Sequence, residues 1–452
     1  MEQNPPQTPA VPERTIDEMR RHGPTVLDGA VRLHSEAVGA ELDGQRDLWR
    51  RGFTRRRLLA GAGAVAVAGL GSQLVTSKVS FAAQNTTDKT LIMVFLRGGV
   101  DGLSVVVPRG DRNYLDARRD VAVGPGALLA GDDRFGLHPA LAPLVPLWNA
   151  GTMAAVHAVS GDNISRSHFQ ATDCIERGAA SPSVRTGWLE RVLGELGPGT
   201  TFRAVAEGGT VPRSMIGSEA KVVMHSLKDL HLATWEGVRE RSLTALKGLY
   251  TGLDHPEAVQ TTETLAMLAA ARELDGAAEA SAATWPEGEF AAQMRNLATL
   301  IKAKAGLRVA SVDVGGWDMH TNIGTPDKGD MHSHLTYLST ALAAFAAELG
   351  PAFADVNVVL MSEFGRRVEV NGSSGFDHGR GGLMMLLGGG LRGGRVHGAW
   401  PGLAADALDE GDLAGANDYR DVLGELLTKR LGLGSTNTIF PDHAQQNLGV
   451  FT

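Results

Sequence analysis

The stretch LRVASVDVGGWDMH, Leu307–His320, runs from an apolar segment into an abrupt polar turn, and what surrounds it decides the fold. Leu307–Val314 has the length and valine content of a buried strand. Downstream, Leu335, Leu338, Leu342, Phe345 and Leu349 recur at helical spacing, which predicts a helix over His332–Leu349 with Gly350-Pro351 as its stop. The next apolar run is Val356–Met361. Strand, helix and strand therefore follow in order, the pattern of a parallel sheet covered by helices.

Working outward, Leu91–Leu96, Met153–Val159 and Leu383–Leu387 read as further buried strands. Ala-rich segments at Val238–Tyr250, Pro256–Leu274 and Glu289–Lys304 read as helices. The expected class is α/β, a mainly parallel sheet with helices on both faces. Asp275–Pro286 reads as a surface loop between helices rather than a domain linker, and no internal repeat is visible.

The chain has 452 residues, 43% hydrophobic and 21% charged, enough to bury a full core. A formal net charge of −8 with no basic tract in the second half leaves no electrostatic footprint for nucleic acid. The single cysteine, Cys174, rules out an intramolecular disulfide, so stability rests on packing and on any bound metal.

Near the start, Thr54-Arg55-Arg56-Arg57-Leu58-Leu59 opens onto Ala60–Leu70, an uncharged run of Ala, Gly, Val and Leu. It is too short and too weakly apolar for a bilayer span, and paired arginines before it are the mark of twin-arginine export. Ser80-Phe81-Ala82 offers small residues for cleavage after Ala82. The organisation expected is therefore an extension over 1–53 with a short helix near Val31–Trp49, a signal over 54–82, and one α/β domain over 83–452. The translocase is the expected partner during export, and no stable membrane span survives cleavage. The destination is the periplasm, the envelope or the medium.

In parallel α/β sheets ligands bind beyond the carboxyl ends of the strands. Polar residues gather there: Arg97-Gly98-Gly99-Val100-Asp101-Gly102, Gly315-Gly316-Trp317-Asp318-Met319-His320, Ser362-Glu363-Phe364-Gly365-Arg366 with Phe376-Asp377-His378-Gly379 behind it, and Ser165-Arg166-Ser167-His168-Phe169. Any one of these could be an ordinary cap or turn. Their recurrence at converging strand ends points to a shared polar site, and mixed carboxylates and imidazoles are ligands that zinc or manganese accepts.

These motifs, with Leu137-His138-Pro139, Trp400-Pro401-Gly402-Leu403 and Asp418-Tyr419-Arg420, resemble the exported bacterial family gathered as domain of unknown function 1501, over about Leu91–Pro441. That family is placed in the alkaline phosphatase and sulfatase superfamily. The resemblance implies an alkaline phosphatase-like fold, a first-strand Asp ligand matched by Asp101, and later ligands matched by Asp318, His320 and His378; Asp377, next to His378 in the same motif, is a further candidate metal ligand. It matches the nucleophile at a helix start with Ser167, beside His168. A late Asp-His pair of the superfamily is replaced by Glu363-Phe364, which leaves Glu363 as the candidate ligand there and removes an imidazole. The sulfatase signature Cys-x-Pro-x-Arg is absent, because Cys174 stands in Thr172-Asp173-Cys174-Ile175-Glu176.

Two functions follow as expectations. One is a metal-dependent hydrolase of a small anionic phosphate or sulfate ester, with Arg97 or Arg166 holding the anion. The other is a non-catalytic envelope protein that uses the same fold for binding or assembly. Stoichiometric metal separates them.

Overall fold

The computed structural model describes residues 89–452, apart from 163–164, 233–235, 251, 254–255, 277–280 and 282. The export signal and the expected helix near Val31–Trp49 lie outside the described residues.

The principal sheet has nine strands. They are β1 (Thr90–Leu96), β4 (Met153–Ser160), β5 (Ala204–Glu207), β6 (Val222–Met224), β7 (Val309–Val314), β8 (Val356–Met361), β9 (Gly382–Gly388), β10 (Val396–His397) and β13 (Asn417–Asp418). Their order is β10-β4-β9-β8-β1-β7-β5-β6, with β13 also on β4. Short antiparallel pairs lie outside it, β2 (Val106–Pro108) with β3 (Phe135–Leu137) and β11 (Leu408–Asp409) with β12 (Asp412–Leu413). Within the sheet β9 is antiparallel to both of its neighbours, and every other pairing is parallel.

The longer helices are α1 (His168–Arg177), α2 (Trp188–Leu196), α3 (Glu236–Tyr250), α4 (Pro256–Gly276), α5 (Glu289–Lys302), α6 (Asp330–Leu349) and α7 (Tyr419–Lys429). The period of two along β1 divides the core. Ile92, Val94 and Leu96 join one apolar cluster with Met294 and Leu297 of α5 and Leu335, Leu338 and Phe345 of α6. Leu91, Met93 and Phe95 join another with Leu189 and Val192 of α2 and Val422 and Leu426 of α7. Both faces of the sheet are therefore covered, as the apolar runs predict.

Helix α6 starts two residues before the expected His332 and ends at Gly350, whose φ of 51° is in the left-handed region that glycine tolerates. Each fully buried leucine on its inner face, such as Leu335, contributes roughly 1.5–3 kcal/mol relative to exposure.

This topology builds the site. Strands β8, β1 and β7 are parallel neighbours whose ends align, with Leu96 opposite Val314 and Phe95 opposite Met361. The segments that follow them consequently leave the same edge side by side. Because β9 runs the other way, the loop that precedes it, Asp377–Gly381, begins at that edge too.

Candidate metal centre

The loops after β1, β7 and β8 are tied together by the guanidinium of Arg366, which is buried. Its Nε donates to Gly99 O at 2.6 Å, and Nη2 donates to Gly98 O, to Trp317 O at 3.2 Å and to Asp318 Oδ1 at 2.5 Å. Its Nη1 donates to Phe376 O at 2.9 Å and to His320 Nε2 at 3.3 Å. The approach of these loops needs glycine. A Cβ at Gly98, whose φ is 122°, would lie 2.4 Å from Asp318 N, and one at Gly379 would lie 2.4 Å from the Arg366 carbonyl carbon.

Three imidazoles surround Asp318. His378 Nε2 is 3.2 Å from Asp318 Oδ1, His320 Nε2 is 3.0 Å from it and His168 Nε2 is 3.5 Å from it. His378 Nε2 is also 3.0 Å from Nε2 of both His168 and His320. His168, Asp318 and His378 present ligand atoms all within 4.8 Å of one another.

The opposite ring nitrogens settle the tautomers. His168 Nδ1 is 2.7 Å from Glu363 Oε1, His320 Nδ1 is 3.1 Å from Asp377 Oδ1, and His378 Nδ1 is 2.8 Å from the Arg166 carbonyl. Each of these oxygens accepts, so each Nδ1 carries a proton and Nε2 is the nitrogen turned inward, with its lone pair available whenever the ring is in this neutral tautomer. Lone pairs 3.0 Å apart repel unless a cation or a further proton stands between them. The group moreover sets three carboxylates, those of Asp318, Asp377 and Glu363, against the one guanidinium of Arg366. Imidazole nitrogens with outer partners on Nδ1, joined by a carboxylate oxygen, are a donor set that suits a divalent transition metal, so the residues fit the ion.

Burial works against the charged form of Asp318, but the hydrogen bond and charge of the Arg366 guanidinium outweigh it and hold its pKa down to about 2. The hydrogen bond from Asn371, then that from His320, holds Asp377 below its usual range. The Phe364 ring lies 4.9 Å from His168 and 4.7 Å from His378, between centroids, so both imidazoles are oriented by packing as well as by hydrogen bonds. The cluster stays open to solvent, with the Asp318 side chain half exposed.

A family model described as "Protein of unknown function (DUF1501)" matches residues 155–418, which include His168, Asp318, His320, Glu363, Asp377 and His378. The chain belongs to the DUF1501 family. No curated protein matches the sequence. Among solved structures it is similar to a protein in the alkaline phosphatase superfamily from Vibrio parahaemolyticus, at 10% identity and a TM-score of 0.33, covering 86% of this chain and 78% of that one. A putative sulfatase from Bacteroides thetaiotaomicron gives 10% and 0.34, with 80% and 76% covered. The PsFucS1 sulfatase from Pseudoalteromonas sp. gives 12% and 0.36, with 80% and 73% covered.

In this DUF1501 chain three of the residues singled out from sequence stand elsewhere. Asp101 is not in the group, because both of its oxygens are held by the buried Arg118, through Nη1 and through Nη2 at 2.9 Å. Arg118 also donates to Val368 O at 2.7 Å and lies 3.8 Å over the Phe376 ring, so Asp101 braces the loop that carries Asp377 and His378. Arg97 is paired with Glu176 and Asp313, each at 2.8 Å. Arg166 is spent on Asp412, at 3.1 Å from Nε and 2.6 Å from Nη2. An ion pair already made is the better use of a guanidinium that has a buried carboxylate in reach.

Glu363 stands one layer out from the imidazole nitrogens that meet, accepting from His168 Nδ1 and from Gly98 N at 2.8 Å. Ser167 occupies the N-cap position of α1 without making a side-chain cap. Arg366 and Arg118 were not singled out from sequence. Arg366 closes the Ser362–Arg366 motif, directly after Gly365, whereas nothing in the sequence around Arg118 sets it apart.

Proposed function

We propose that the protein is an exported, metal-dependent hydrolase of phosphate or sulfate esters. The observation that carries this reading is the meeting of three inward imidazole Nε2 atoms with the Asp318 carboxylate. Zinc or manganese would be held by His168, Asp318 and His378, with His320 alongside. When bound, such an ion polarises an ester oxygen and lowers the pKa of an attacking hydroxyl. The chain's own residues do the rest. Glu363, Asp377 and the Arg166 carbonyl keep the three rings in one tautomer, and Arg366 holds Asp318 ionised.

Ser167 is the nucleophile in this reading. It directly precedes His168, its hydroxyl is not used as a cap, and the positive end of the α1 dipole favours its ionised form. Arg55, Arg56 and the uncharged run after them support export through the twin-arginine translocase. Every strand of the described sheet lies after Ala82, so cleavage there leaves the sheet intact.

The Arg366–Asp318 ion pair favours a second reading, a binding or assembly protein in which the guanidinium and a protonated imidazole supply the positive charge. Elemental analysis of the purified protein, with hydrolysis of p-nitrophenyl phosphate and p-nitrophenyl sulfate before and after chelation, decides between them. The hydrolase reading expects a stoichiometric ion and chelator-sensitive turnover. A folded preparation with no ion and no turnover after zinc or manganese is supplied overturns it.

A further inference from the structure

A cleft shares Glu363, Phe364 and Gly379 with the surroundings of the imidazole cluster and extends to Ser160, Arg380 and Tyr419. We propose that Arg380 makes this cleft a docking point for a tetrahedral oxyanion, phosphate or sulfate, carried by the substrate. The inference rests on the hydrolase reading for the word substrate, but not for the binding itself.

An ester anion needs a cation with donors to spare, and the nearby arginines differ in this respect. Arg97, Arg166 and Arg366 place their guanidinium groups on the carboxylates and carbonyls described above. Arg380 pairs with Asp409 through Nη1 alone, and its Nε is buried with no hydrogen-bond partner among the described residues. A buried donor left without an acceptor is destabilising, more so when it is charged, and an oxyanion bound there removes that penalty.

The position is also prepared. Arg380 lies between Gly379 and Gly381, whose N–H groups are fixed on Gly365 O at 2.9 Å and Leu413 O at 2.8 Å, and its own carbonyl accepts from Gly365 N at 3.2 Å. Only Gly379 separates it from His378, so one short, pinned loop carries both groups. Ser160 supplies a hydroxyl at the same place. A Cβ built on Gly415 would lie 2.0 Å from Ser160 Oγ and 3.4 Å from Arg380 Nε, so the Ser160 hydroxyl packs directly on this glycine, on the same side as the Arg380 Nε. A guanidinium beside a hydroxyl is a donor pair that matches a tetrahedral oxyanion.

The test is calorimetric titration of the purified protein, metal-free and zinc-loaded, with inorganic phosphate in one arm and inorganic sulfate in the other. One anion per chain is expected, in at least one arm, with affinity at least tenfold weaker in Arg380→Gln while its metal content is unchanged. Asp409→Asn, which keeps Arg380 and removes its competing carboxylate, is expected to bind the anion several-fold more tightly. Absence of binding in both arms overturns the proposal, as does an unchanged Kd in Arg380→Gln. Should that variant fail to fold, an unchanged Kd in Asp409→Asn overturns it instead. The two readings fail separately. Arg380-dependent binding in a chain that retains no metal keeps the docking point and removes the hydrolase, whereas metal-dependent turnover indifferent to Arg380 does the reverse.

Discussion

His168 Nδ1 lies 2.7 Å from Glu363 Oε1, and this contact determines which nitrogen of His168 faces the cluster. Glu363 is itself fixed by Gly98 N and by Ser362 Oγ at 2.9 Å, so it is a rigid acceptor rather than a mobile carboxylate. Glu363→Ala should weaken zinc binding by about 10–100-fold, the usual cost of losing an outer partner, while Glu363→Gln, which can still accept, should recover part of it. Competition titration against a chelator of known affinity reads both. Equal affinity in all three proteins would show that Glu363 does not orient His168.

Arg366 holds four carbonyls and the Asp318 carboxylate at once. Arg366→Met should therefore lower unfolding free energy by about 3–5 kcal/mol, because it orphans several buried acceptors together. Lysine cannot span the same set, so Arg366→Lys should restore only a minor part. Urea unfolding midpoints within about 1 kcal/mol of the parent would contradict this.

Ser167 separates structure from chemistry. Loss of a working N-cap costs about 1 kcal/mol, but this hydroxyl makes no cap, so Ser167→Ala should change stability by less than that. Under the hydrolase reading the same change abolishes turnover. A variant that hydrolyses p-nitrophenyl phosphate at the parental rate would remove Ser167 from the mechanism.

His157 gives the stability a defined pH dependence. It is buried, its Nε2 lies 2.5 Å from Val106 O, and its Nδ1 has no partner among the described residues. Burial lowers its pKa from 6.5 to about 4. Between those values the unfolded imidazole takes a proton that the folded one refuses. Stability is thus complete above pH 6.5 and falls as the pH drops towards 4, by up to roughly 3 kcal/mol from this residue. His138, also lowered to about 4 by burial, adds a like slope. Removing the titrating ring in His157→Gln should make the decline shallower by about 1.4 kcal/mol per pH unit. Denaturation at several pH values between 4 and 7 checks the slope, and a parental slope in the variant would refute it.

Replacing Arg55, Arg56 and Arg57 together by lysine should leave precursor in the cytoplasm. All three must change, because Arg56 and Arg57 form a second pair when Arg55 is lost. Fractionation followed by immunoblotting reads the outcome, and normal export of the triple variant would show that another route is used.

The strands and α6 were legible in the chain because each is decided locally. A buried parallel strand needs an apolar run, a packed helix needs apolar residues every three or four positions, and Gly350-Pro351 ends one wherever it folds. The gathering of Asp318, His320 and His378 was foreseeable for a related reason, since parallel strands deliver their following loops to one edge. Which charges neutralise one another was not legible. Asp101 and Asp318 each follow an apolar run and a pair of glycines, yet one is held by Arg118 and the other faces three imidazoles. Arg97, Arg166, Arg366 and Arg380 are equivalent as letters. Their roles were decided by which carboxylates and carbonyls the folded loops bring within 3 Å, a relation between residues up to hundreds of positions apart that only the tertiary structure sets.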